Sequence, residues 1–149
     1  MVSFIVLLKK LLPGDYYTGF GYPGSEDDHE SFVREVKKRV PEVAHEEDRK
    51  VEEMVNEAVE WAVNNICKPL GHRVKRGVNR LHEVGVFQCH HPEIGTFYLT
   101  FDEESNGDAG TWHFGFSLRR SREEAERDYR EAVEEMEEEE EMEEEEEVW

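Results

Sequence analysis

The chain has 149 residues, with 37 Asp or Glu against 18 Lys or Arg and a formal net charge of −19. That length fits one domain of ordinary size, and the acidic balance argues against nonspecific DNA binding by the whole molecule. Two cysteines are too few for a disulfide scaffold, so a reduced, cytoplasmic chain is expected.

The opening run MVSFIVLLKKLL has no charge before its apolar stretch. Lys9 and Lys10 interrupt it, and no small-residue cleavage site follows, so it does not read as a signal peptide. It is too short to span a bilayer, and no membrane partner is expected. We read Val2–Leu8 as a buried strand.

Residues 13–26, PGDYYTGFGYPGSE, read as an aromatic loop punctuated by glycine and proline. The spacing Gly19, Gly21, Gly24 matches a dinucleotide fingerprint by letter only. Pro23 sits inside it and no strand leads into it. A helix follows, starting after Ser25 or Asp27 and running to Arg39. Acidic residues lie at its positive end and Lys37, Lys38 and Arg39 at its negative end. From Glu46 to Cys67 the apolar residues Val51, Met54, Val55, Ala58, Val59, Ala62, Val63 and Ile66 recur at three- and four-residue steps. That periodicity marks a core helix, which Pro69 and Gly71 end.

The rest is β-like, with strands at about 72–80, 84–90, 95–103 and 111–119. In the last two, Phe97, Leu99 and Phe101, then Trp112, Phe114, Phe116 and Leu118, alternate with small or polar residues. Such period-two patterning gives one buried and one wetter face, with Tyr98, His113 and Ser117 on the wetter one. The acidic loop between these strands lacks calcium-loop spacing. Ser121 caps a final helix, with Glu124 in capping-box position, and its apolar stripe ends at Met136. The block Ser121–Trp149 holds 17 acidic residues against 3 Arg, a net of −14. Such a run is solvated, self-repelling surface or an interaction tail. We therefore expect one α+β domain over 1–136: an antiparallel sheet of four strands, five if the N-terminal strand joins it, packed against helices. Residues 137–149 form an acidic, Glu-rich tail that frays or is disordered.

Three constellations bear on function. Cys89, His90, His91 and His113 are the candidate metal ligands, and zinc is the ion such a set would hold. No paired-cysteine or H-E-x-x-H motif accompanies them, and no cofactor is predicted. A nucleophile elbow is likewise missing, and the thiol enzyme is an alternative without a motif. The segment His72–Arg80 is the one basic patch and the candidate nucleic-acid site, through Arg73, Lys75, Arg76 and Arg80. On a continuous strand Arg73 and Lys75 face one way and Arg76 and Arg80 the other. The tail is a candidate for a protein partner or for an intramolecular contact that screens this patch. The expectation is a binding or accessory protein, with a surface composition that suits a thermophile.

Overall fold

In a computed structural model of the chain, residues 2–147 are described, with side chains described through Glu138. The element order is α1 (Phe4–Leu11), β1 (Gly14–Phe20), α2 (Ser25–Arg39), a 3-10 turn (Pro41–Val43), α3 (Asp48–Asn65), β2 (Cys67–Gly77), β3 (Arg80–His91), β4 (Gly95–Asn106), β5 (Thr111–Arg119) and α4 (Arg122–Glu147). The five strands form one antiparallel sheet in the order β1-β5-β4-β3-β2. The fold is α+β, with helices on both faces of the sheet.

The fifth strand is not the N-terminal segment. Residues 4–11 are helical, because Ser3 caps them and their leucines recur at helical spacing. Val6 N–H donates to Ser3 Oγ at 3.2 Å, and Leu7, Leu8 and Leu11 are buried. Lys9 and Lys10, which interrupt a strand pattern, fall in the last turn, where the helix dipole favours cations. The fifth strand is β1, inside the stretch read from sequence as a loop. Its Tyr16 and Thr18 point inward and are buried, and the Tyr16 hydroxyl donates to the Leu11 carbonyl at 2.6 Å. Burial pushes that phenol up to about 12.

The inner face of the sheet carries Phe87, Cys89, Phe97, Leu99, Phe116 and Leu118, which pack with α1, α2 and α3 in the main core. Trp61, off the α3 stripe, meets Phe4 of α1 at a ring separation of 5.9 Å. The outer face carries α4. Ser121 caps it, with Glu124 N–H donating to Ser121 Oγ at 3.4 Å. Ala125 and Met136 are buried, and Thr100 donates to the Ala125 carbonyl. The helix continues past the end of its apolar stripe to Glu147. Val148 and Trp149 lie outside the described residues.

The cysteines are not free. Cys67 and Cys89 are register partners at the base of the β2–β3 hairpin and form a disulfide across 22 residues of sequence. This overturns the reading of reduced thiols. The strand β2 begins five residues earlier than its sequence signals suggest, which sets the two residues opposite each other. Among the described residues, no helix is long and apolar enough to cross a membrane.

Candidate functional site

The four candidate metal ligands do not come together. Cys89 is consumed by the disulfide and lies on the inner face, where His91 also points. His90 and His113 are on the outer face. His90 contacts Thr96 Oγ1 at 3.1 Å, while His91 Nδ1 accepts from Glu93 N–H. Seven residues of strand, about 23 Å, separate the level of Cys89 from that of His82, Glu104 and His113. No group of three or more His, Cys, Asp or Glu among the described residues is placed to hold a metal.

His113 sits instead in a phenol cluster. Gly19 is its register partner on β1, and the missing side chain there leaves room for Tyr22. A Cβ on Gly19 would lie 2.7 Å from the Tyr22 ring. Tyr22 turns back over the strand, stacks on His113 at 4.2 Å and donates to Asp28 Oδ2 at 2.9 Å. Tyr17 hydrogen-bonds His113 Nδ1. Burial, then the hydrogen bonds to Tyr17 and Asp28, push the Tyr22 phenol up. The cluster therefore holds the 19–24 segment against the sheet, with the Tyr22 phenol protonated at neutral pH.

Beside it, between α4 and the strands β1, β5 and β4, runs an acidic groove of about 480 Å³. Asp15, Asp102, Glu104, Asp128, Glu131 and Glu135 line it. Arg119 bridges Asp15 and Asp128, and His82, buried in β3, pairs with Asp102 at 2.7 Å. Ser117 donates to Asp15. Burial raises the Asp128 carboxyl above the ordinary carboxylate range; Arg119 opposes this, and Asp15 and Glu131 add to it. The folded state thus holds this proton more tightly than the unfolded chain. Stability from Asp128 is fullest below its ordinary value and is lost as pH rises through its folded value. Asp128→Asn is expected to flatten the fall in melting temperature as pH rises above the ordinary Asp value of about 4. Parallel slopes for the two proteins would contradict that.

The inner face offers a different surface. Strands β3 and β4 are 12 residues long, about 40 Å at the usual rise, whereas α3, at 18 residues, spans about 27 Å. At the lower end of the inner face the cover is incomplete: Phe20 is exposed and Trp112 and Phe114 are half-buried. There Phe20, Trp112 and Phe114 form a ladder across β1 and β5 that runs into the buried Phe116, with neighbouring ring centroids 5.6, 6.0 and 5.9 Å apart. Phe20 is 58% exposed. Trp112 Nε1 donates to Glu103 Oε2 at 2.8 Å, which fixes the indole.

Two grooves flank this ledge. One, of about 260 Å³, runs between Val59 and Val63 of α3 and Phe101, Trp112 and Phe114 of the sheet. The other, of about 570 Å³, opens between Phe20, Trp112 and the first turns of α2 and α3. Asn56 lies on both walls, and its buried Oδ1 has no hydrogen-bond partner. Eight carboxylates line the two grooves (Glu26, Glu30, Asp48, Glu52, Glu53, Glu60, Glu83 and Glu103), against Arg49 and His29. Aromatic faces within a ring of carboxylates suit a cationic or amphipathic guest.

The sequence reading placed Phe20 in a loop and the β5 aromatics in the core, so this ledge was missed. The alternation Trp112, Phe114, Phe116 signals the aromatic row but not its exposure. The basic patch is also rearranged. The strand turns at Val78–Asn79, so Arg80 begins β3 and pairs with Gly77. Arg80 therefore shares the outer face with Arg73 and Lys75, and Arg76 alone takes the inner face. Compared with known proteins, the chain matches no family model, no curated protein and no solved structure.

Proposed function

We propose that this chain is a binding or accessory protein without a catalytic step, and that its ligand face is the aromatic ledge on the inner side of the sheet. The observation that carries the reading is the ladder Phe20–Trp112–Phe114, left partly uncovered by α3 and ringed by carboxylates. A partly exposed aromatic row with a polar rim suits an interaction site, and tryptophan is favoured where binding energy concentrates. The occupant that fits is a segment of a partner protein with apolar side chains for the groove and Lys or Arg for its rim. A net charge of −19 attracts such a segment at long range.

The compartment we infer is the cytoplasm of a thermophile. Disulfides persist there in hyperthermophiles, and the Glu-, Lys- and Arg-rich surface suits that setting.

The probe is a short synthetic peptide of alternating lysine and leucine. Calorimetric titration is expected to give saturable binding to the intact chain, weakened at least about tenfold in Trp112→Ala, a loss of more than about 1.4 kcal/mol. Phe20→Ala removes an exposed ring that supports no core packing, so it serves as the variant that cannot fail by unfolding. It is expected to weaken binding in the same direction. Equal affinity for all three proteins would remove the ledge as the site.

A further inference from the structure

The β2–β3 hairpin carries cations that the ledge does not use. Lys68, Arg73, Lys75 and Arg80 project from the outer face, as the register Lys68↔Gln88, Arg73↔Val84, Lys75↔His82 and Gly77↔Arg80 requires. The Leu70 bulge sets this arrangement, because the register shifts between Pro69 and Gly71. It brings Gly71 to the outer face, where an added Cβ would meet the Tyr129 ring of α4 at 3.0 Å. The helix thus lies against the strand at Gly71 and continues along it. Eight residues further on, Glu137 pairs with Arg73 at 3.1 Å, with both side chains about half exposed. Lys75 and Arg80 are engaged as well. From Glu137 the helical backbone continues to Glu147, ten residues or about 15 Å. The strand from Arg73 to Gly77 covers about 13 Å. A helix made almost entirely of glutamate therefore starts on the first arginine of a basic strand and is long enough to follow it to the hairpin tip.

We propose that the outer face of the β2–β3 hairpin is a binding surface for single-stranded nucleic acid, and that the glutamate end of α4 occupies it within the same molecule. Arg73 and Lys75 of β2 stand at alternate positions, about 7 Å apart along the strand, and Arg80 lies across from the next outward position, Gly77. That is a line of charge which an extended sugar-phosphate backbone follows and a compact anion does not. Glu137 of the helix pairs with the first arginine of that line, and the helical backbone that continues from it is almost all glutamate in sequence. A solvating tail has no need of such a contact: its charge would keep the protein soluble wherever it pointed. Because the exchange is between two polyanions, binding in the intact chain is weak, and it strengthens when the helix loses charge.

The test keeps the full chain. Glu137→Gln, Glu138→Gln, Glu139→Gln and Glu140→Gln are introduced together, which preserves helix propensity and removes four charges. Binding of a labelled oligouridylate is measured by fluorescence anisotropy at low salt. The expected result is affinity about tenfold above the unmodified chain, with a log–log salt slope near −3 for four neutralised phosphates. Adding Arg73→Gln to that variant is expected to reverse most of the gain and lower the slope by about 0.7. Trp112→Ala, on the opposite face, is expected to leave RNA binding unchanged, which separates this site from the ledge. The proposal is overturned by the same negligible affinity in both proteins, by a gain that Arg73→Gln does not touch, or by a polyglutamate peptide that binds as tightly as the RNA.

Discussion

Removing the disulfide, by Cys67→Ser with Cys89→Ala, is expected to lower stability by about 3 kcal/mol, from closure of a loop of 22 residues. For a chain of this size that is a fall of about 10 °C in melting temperature. The bond ties β2, the edge strand, to the buried Cys89 of β3 at the base of the hairpin. Its loss frees the strand end next to Ile66, whose carbonyl accepts from His90 N–H. Thermal melts of the oxidised, reduced and doubly substituted proteins check this. The reduced and substituted forms should agree with each other. Equal melting of all three would mean that the hairpin is held without the bond.

Gly21→Ala is expected to cost about 2–4 kcal/mol, the second large effect. Gly21 has φ +86°, in the left-handed region that a side chain disfavours. A Cβ there would lie 2.0 Å from the Gly110 carbonyl oxygen, which is backbone and cannot rotate away. The alanine therefore forces β1 and the start of β5 apart. It also displaces Tyr22, which closes over His113 from the next position. Denaturant midpoints measure the cost, and loss of the Tyr22 ring-current shift at His113 reports the local opening. A neutral Gly21→Ala would mean that the turn relaxes without strain.

The elements that were legible in the sequence share one property: their period is long or strict. The α3 stripe from Val51 to Ile66 and the alternation of β4 and β5 each leave one reading. Residues 4–11 did not. A short apolar run suits a strand or a helix equally, and only the Ser3 cap and the Leu7–Leu11 spacing break the tie. In β1 the glycines hid the strand. Gly19 and Gly21 read as loop punctuation, yet Gly19 is a strand residue where a side chain would strike the Trp112 carbonyl and the Tyr22 ring. Pairing Cys67 with Cys89 required the β2–β3 register, and Pro69 and Gly71 disguised the start of β2 as the end of a helix. The candidate metal set failed for a related reason. Adjacent residues on a strand point to opposite faces, so the contiguous letters Cys89-His90-His91 cannot converge without a turn. The aromatic ledge was hidden because exposure there depends on how far α3 reaches over the sheet. That is a property of two elements together, which no local pattern encodes.

The most direct test of the ledge is a nitrogen-15 correlation spectrum of the intact chain titrated with the lysine–leucine peptide. Shifts are expected at Phe20, Asn56, Phe101, Phe114 and the Trp112 indole N–H alone, with Tyr17, His113 and Ser117 on the outer face unmoved. Shifts confined instead to the acidic groove around Asp15, Asp102 and Asp128, or spread evenly over the surface, would contradict it.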